Sequence, residues 1–212
     1  MEKEKIDSII FDMDGTLWDA VSTYAKAWNK YYQLNGVNKT ITYEVLGSQM
    51  GVEEKEFLKL IMPNIPEEER SEEYNNKVVP LIYSSILEAG GHFYDGVLRG
   101  LNRLSSKHQL FIVSNCPANT IDCFMEYAGI QNIITDTMAH GQNFKPKSEN
   151  IKLLIEKHKL RNAVYVGDTD SDRMQSEKAG VSFVFVDYGF GKSDQFINKF
   201  SDFTALVDWF CN

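Results

Sequence analysis

Apolar and polar positions fall into alternating blocks along this chain. Four short runs, residues 6–11, 110–114, 163–166 and 182–186, are almost continuously apolar and rich in Val, Ile and Phe. That is the pattern of strands covered on both faces, and residues 133–135 are a weaker fifth candidate. Helical periodicity fills the intervals. In "GVLRGLNRLSS", Val97, Leu98, Leu101 and Leu104 share one stripe. "PANTIDCFMEYAG" opens on Pro117 and stops at Gly129, "SENIKLLIEKH" offers Ser148 as an N-cap, and "DRMQSEKAG" stops at Gly180. These are ordinary helix start and stop signals. Strands alternating with helices predict a parallel, doubly wound α/β sheet.

The rhythm breaks between residues 19 and 89, where the periodicity is helical and no convincing strand occurs. "AVSTYAKAWNKYYQL" and "YNNKVVPLIYSSILEA" are its clearest helices, with Pro80 as a potential kink in the second and Gly90-Gly91 as the stop. The expected organisation is a Rossmann-like parallel-sheet core, residues 1–18 and 90–212, carrying an inserted all-helical cap over residues 19–89.

Ligands of open parallel sheets bind beyond the carboxyl ends of the strands, so the residues leaving each strand carry the chemical information. The first strand leaves through "FDMDGT", presenting Asp12 and Asp14 before Gly15. The second leaves at Ser114 and Asn115, the third at Asp168 with Asp170 and Asp172 behind it, and the fourth at Asp187. Lys145 and Lys147 lie in "NFKPKSEN", ahead of a helix. Period-two alternation tends to set Asp12 and Asp14 on one side. Two carboxylates held together repel, the more so when buried, and a third arrives with Asp168. A hard cation bound by carboxylate oxygens, Mg²⁺ above all, with a lysine beside it, offsets that repulsion. Ser114 and the backbone N–H groups of the following helix suit phosphate oxygens. A carboxylate can attack phosphorus to give an aspartyl-phosphate, while a second serves as general acid and base. "DTDSD" fails as a calcium loop, because Arg173 and Ala179 occupy the positions that need glycine and glutamate.

Over nearly its whole length the sequence resembles the haloacid dehalogenase superfamily, and within it the phosphatases. "DMDGT" resembles that family's first motif, Ser114 in "IVSN" the second, Lys145 in "KPKS" the third, and "VGDTDSD", through Asp168 and Asp172, the fourth. "HFYDGVLRGLNRL" resembles the re-entry into the core after a helical cap. The resemblance implies Asp12 as nucleophile, Asp14 as acid/base, and Lys145 as the active-site lysine, chosen over Lys147 by the family's lysine-proline pairing. It also implies Ser114 and Asn115 on the phosphate, Mg²⁺ on Asp12, Asp14 and Asp168, and Thr16 and Asp172 in support. A carboxylate at position 14 separates the chain from the dehalogenases and from the phosphonoacetaldehyde hydrolases. The insert contains no histidine, unlike the β-phosphoglucomutase-like members. A small-phosphomonoester phosphatase of the phosphoglycolate phosphatase-like group is therefore favoured. A phosphosugar mutase and a non-catalytic phosphate-binding relative are the alternatives. The cap aromatics Trp18, Tyr24, Trp28, Tyr31 and Tyr32 read first as core, and Gln49, Met50 and Gly51 as pocket residues by analogy.

Composition narrows this further. With 212 residues and 43% hydrophobic content the chain can bury a real core. Its net charge of −8 makes it a poor binder of nucleic acid or anionic membranes. No apolar stretch is long enough to span a bilayer, and "MEKEKID" is too charged for a signal peptide. Cys116, Cys123 and Cys211, odd in number and without metal-like spacing, read as reduced thiols of a cytoplasmic protein. The expected partner is a small phosphorylated metabolite.

Overall fold

The structure is a computed structural model and describes residues 6–212; the first five residues of the charged N-terminal stretch lie outside it. Its strands are β1 (Ser8–Phe11), β2 (Trp18–Asp19), β3 (His92–Phe93), β4 (Gln109–Ser114), β5 (Asp136–Ala139), β6 (Ala163–Gly167), β7 (Ser182–Val186) and β8 (Asn198–Phe200). Six of them form one sheet in the order β5-β4-β1-β6-β7-β8, and every pairing in it is parallel. β1 is central, all four of its residues are buried, and its side chains alternate between two cores. Ile9 and Phe11 face the larger one, while Ile10 packs with Phe111, Val113, Tyr165 and Phe185 on the other face. Each such side chain contributes roughly 1.5–3 kcal/mol when fully withdrawn from water, which is why β1 is apolar from Ile9 to Phe11 on both faces.

Four strands lie where the apolar runs put them. The fifth does not: residues 133–135 form a turn and its exit, and β5 begins at Asp136. "DTMA" is a half-exposed edge strand, so it lacks the apolar run that marks buried strands. β8 and the β2–β3 ribbon are two- or three-residue pairings made by tertiary contact.

Residues 21–89 are helical. They comprise helices Val21–Leu34, Tyr43–Gly47, Glu54–Ile61, Glu67–Glu73 and Val79–Ala89, with a π-turn over Tyr74–Val78. The π-turn directly precedes Pro80, whose missing N–H and bulky ring disturb the regular ladder there. Gly90 closes the last helix at φ 62°, and a Cβ on it would lie 2.1 Å from the Tyr127 ring. The antiparallel β2–β3 ribbon ties the two ends of this insert together. Within the described residues no helix is long and apolar enough to cross a membrane.

Two helix starts differ from expectation and matter for the site. The helix after β4 begins at Thr120 rather than Pro117. The helix expected to be capped by Ser148 runs over Lys147–His158 with Pro146 at the N-cap position, which makes Lys147 its first residue.

Candidate active site

β1, β4 and β6 are neighbours in parallel register, with Phe11 opposite both Ile112 and Val166. Asp12, Ser114 and Asp168 therefore leave the same edge of the sheet. The Asp12 N–H donates to Val166 C=O at 2.8 Å, which carries the ladder one residue past β1 and fixes the direction of the Asp12 side chain.

A buried charge cluster occupies that edge. Asp12, Asp168 and Asp172 are 4%, 0% and 1% exposed, and each brings a carboxylate oxygen within 4.8 Å of the others. Their cation is Lys147, 3% exposed, with Nζ 3.1 Å from Asp12 Oδ1 and 2.6 Å from Asp172 Oδ1. The ammonium also sits 5.6 Å from the centroid of the Tyr165 ring, whose hydroxyl donates to Val113 C=O. Lys145 is elsewhere. It is exposed on a surface loop, its N–H donates to Asn143 Oδ1, and its carbonyl is 2.9 Å from His140 Nδ1. Against the sequence expectation, the lysine that the fold brings to the carboxylates is Lys147, and Lys145 stays outside. Side chains in a first helical turn point back towards the helix N-terminus. Pro146 sets the start of that helix so that its N-terminus faces the strand ends, which turns Lys147 inward and leaves Lys145 outside.

The carboxylates differ in what already holds them. Asp172 is fully engaged: Oδ2 accepts from the N–H and hydroxyl of Thr169 in a capping box, and Oδ1 accepts from Lys147. It positions the lysine. Asp168 Oδ2 accepts from Phe190 N–H at 2.7 Å, and Oδ1 lies 3.4 Å from the Thr16 hydroxyl. Two glycines make room for Asp168. A Cβ on Gly15, at φ +85°, would lie 2.3 Å from its Oδ2, and one on Gly189 would lie 2.4 Å from the same atom. Asp12 Oδ1 is buried and receives no hydrogen bond of proper geometry, the Lys147 contact being an ion pair only.

Asp14 stands apart. The Tyr24 hydroxyl bonds it at 3.0 Å to Oδ1 and 3.2 Å to Oδ2, and its carboxylate lies outside the three-carboxylate group. The expected metal set of Asp12, Asp14 and Asp168 therefore loses the Asp14 side chain. Burial, and then the charge of Asp12, push Asp14 up to about 8. Asp12 is pushed up to about 6, by burial first, with Lys147 pulling it down and Asp172 pushing it up. Asp168 is raised well above the carboxylate range by burial and by its two acidic neighbours.

Whether a divalent cation fits can be judged from these atoms. Three buried carboxylates face one lysine, Asp12 Oδ1 is orphaned, and burial opposes ionisation of Asp12 and Asp168. A hard cation between Asp12 and Asp168 supplies the missing charge with oxygen ligands, so the residues fit it.

Next to this cluster a cavity of about 90 Å³ opens between the strand ends and the insert, with Asp14, Asn115 and Cys116 at one end. Tyr24 and Trp28 line it, and so do Gln49, Met50 and Gly51; Tyr31 and Tyr32 do not. Ser114, 6% exposed, ends β4 beside it. Asp170 and Asp187 pair with Arg173 and Lys199 away from the cluster. Cys116, Cys123 and Cys211 are unpaired and buried. Sequence reasoning missed Tyr24 as a partner of Asp14 and Gly189 as a wall of the Asp168 site. The "GFG" after β7 was the available signal for the second.

Known proteins are similar to this chain over most of its length. A profile of the haloacid dehalogenase-like hydrolases matches residues 9–186. The chain is 25% identical to a phosphoglycolate phosphatase of Photobacterium profundum, covering 98% of each chain. It is 26% identical to one of Vibrio parahaemolyticus, covering 97% of this chain and 94% of that one. Among solved structures, a predicted phosphoglycolate phosphatase from Haemophilus somnus superposes with a TM-score of 0.81 at 20% identity, over 98% of this chain and 99% of the other. A haloacid dehalogenase-like hydrolase from Streptococcus pneumoniae gives 0.78 at 20% identity, over 97% and 99%. With the profile spanning most of the chain and the carboxylates gathered at the sheet edge, the protein belongs to the haloacid dehalogenase-like hydrolase family.

Proposed function

We propose that the protein hydrolyses a small phosphomonoester in a Mg²⁺-dependent reaction through an aspartyl-phosphate on Asp12. One observation carries the reading. Two aspartates two residues apart stand in different environments, Asp12 against a buried lysine and Asp14 under a tyrosine hydroxyl with its proton held to about pH 8. Paired carboxyls pushed apart in this way divide into nucleophile and acid.

Asp12 attacks phosphorus with an oxygen lone pair, and the bond to the leaving oxygen breaks in line. The Asp14 proton passes to that oxygen, so the product leaves as an alcohol. In the second half Asp14, now a carboxylate, takes a proton from water as the water oxygen attacks the phosphorus of the aspartyl-phosphate. Inorganic phosphate departs and the Asp12 carboxylate is restored. Lys147, held by Asp172, stabilises charge on the phosphoryl oxygens, and Ser114 and Asn115 supply further donors there. Asp12 and Asp168 would hold Mg²⁺, which supplies Lewis-acid stabilisation of the phosphoryl group when bound. The insert, residues 19–89, serves as the cap that keeps bulk water from the intermediate. The relatives named as phosphoglycolate phosphatases support a small phosphate ester as substrate.

The test is rapid quench with a labelled activated phosphate ester. Wild type and Asp14→Asn should carry acid-stable label on Asp12, Asp14→Asn accumulating more of it, and Asp12→Asn none. Label in Asp12→Asn or on Ser114, or activity undiminished by exhaustive chelation, would overturn the mechanism.

A further inference from the structure

The cavity beside Asp14 has a chemical character of its own. Tyr24, Trp28, Phe57 and Tyr74 present four aromatic rings to it. Trp28 stacks on Tyr74 at 5.6 Å and 8° and meets Phe57 edge-on at 5.6 Å. Its acidic wall residues are Asp14 and Glu54, and among the described residues no lysine, arginine or histidine lines it. His140 and Lys147 line an adjoining groove, and there Lys147 is taken by Asp12 and Asp172. Glu54 Oε1 accepts one hydrogen bond, from the Ser71 hydroxyl. Thr120, 1% exposed, is one of the residues lining the cavity, and its hydroxyl is buried without a hydrogen-bond partner in the protein.

We infer that the leaving alcohol is cationic: the substrate is a phosphomonoester carrying an ammonium group near its far end and no carboxylate. The inference rests on the phosphatase reading above and deepens it. With the phosphoryl group at Asp12 and its leaving oxygen at Asp14, the rest of the molecule enters this cavity. A carboxylate there would be stripped of water opposite Glu54 with no counter-charge. An ammonium would meet an aromatic wall and the Glu54 carboxylate. The cavity, at about 90 Å³, accommodates a compact head group.

The test compares kcat/KM, with Mg²⁺ present, for choline phosphate, its neutral carbon isostere 3,3-dimethylbutyl phosphate, and phosphoglycolate, with p-nitrophenyl phosphate as the control for phosphatase activity. Choline phosphate should exceed the neutral ester about tenfold or more, as expected for a desolvated cation on aromatic faces, and should exceed phosphoglycolate by a larger factor. In Glu54→Gln the ratio of choline phosphate to the neutral ester should fall towards one. Turnover of p-nitrophenyl phosphate with phosphoglycolate equal or better, or with no cation preference, overturns this inference and leaves the phosphatase reading intact. If no ester is hydrolysed, the phosphatase reading fails, and titration with choline followed by tryptophan fluorescence decides the cavity separately. Saturable quenching that weakens in Glu54→Gln supports the inference, and no response overturns it.

Discussion

Replacing Lys147 by methionine, beside the same change at Lys145, tests the central assignment of the site. Methionine keeps the length and apolar stem of lysine and removes the charge. At position 147 it leaves Asp12 and Asp172, each at most 4% exposed, without the ammonium that now lies 3.1 and 2.6 Å from their oxygens. Removing one partner of a buried ion pair costs about 3–5 kcal/mol, and here one cation serves two acids, so the upper part of that range is expected. In a chain of this size each kcal/mol moves Tm by about 2–4 °C, which gives a fall of about 8–20 °C. Lys145 is exposed and its side chain supports nothing buried, so Lys145→Met should stay within about 0.5 kcal/mol of wild type. Thermal and urea unfolding should be run with a chelator, because a divalent cation would offset the lost charge. Activity should follow the same contrast, Lys147→Met losing on the order of 10²–10³ in kcat, as when a preorganised donor to a transition state is removed, and Lys145→Met keeping nearly all of it. Equal melting temperatures for the two variants, or a larger activity loss in Lys145→Met, would refute the placement of Lys147.

Gly15→Ala places a methyl 2.3 Å from Asp168 Oδ2 at a φ of +85°; we expect about 1–3 kcal/mol of lost stability and weakened Mg²⁺ binding by calorimetry, and unchanged Mg²⁺ affinity would count against Asp168 as a ligand. Tyr24→Phe removes the hydroxyl on Asp14 at a cost of about 1 kcal/mol, so kcat on an alkyl phosphate should drop several-fold more than on p-nitrophenyl phosphate, and an equal drop on both would separate Tyr24 from proton transfer. Away from the site, burial raises Asp136, but the His158 and Lys157 side chains and the Thr137 N–H outweigh it and hold the carboxyl below its ordinary value. A carboxyl lowered in the folded state contributes stability that is present above its unfolded value near 4 and is lost as pH falls through the folded value. The difference in urea unfolding free energy between wild type and Asp136→Asn should therefore shrink on acidification below about pH 4, and a difference independent of pH there would contradict the shift.

The sequence by itself determined the parts that depend on neighbours along the chain. Strands such as β1 and β7 are apolar at every position after their first serine because both faces are covered there, so they were legible, and with them the rule that Asp12, Ser114 and Asp168 leave the same edge. The helical insert was legible from its periodicity, and the glycine at 15 from the turn that follows a buried strand. Only the tertiary structure decided which of two lysines two residues apart is buried, because that depends on where Pro146 starts a helix and how that helix meets the sheet. It alone showed that Asp172 is spent on Lys147 and Thr169, that Asp14 answers to Tyr24 across the boundary with the insert, and that Gly189 walls in Asp168 from a distant loop. The half-exposed β5 and the short β2, β3 and β8 escaped sequence reading for a related reason. Their pairing is supplied by partners remote in the chain, and too few of their own residues are buried to leave a periodic signal. The character of the cavity, aromatic and acidic without a cation, is likewise a sum over residues from 14 to 120 that no local pattern contains.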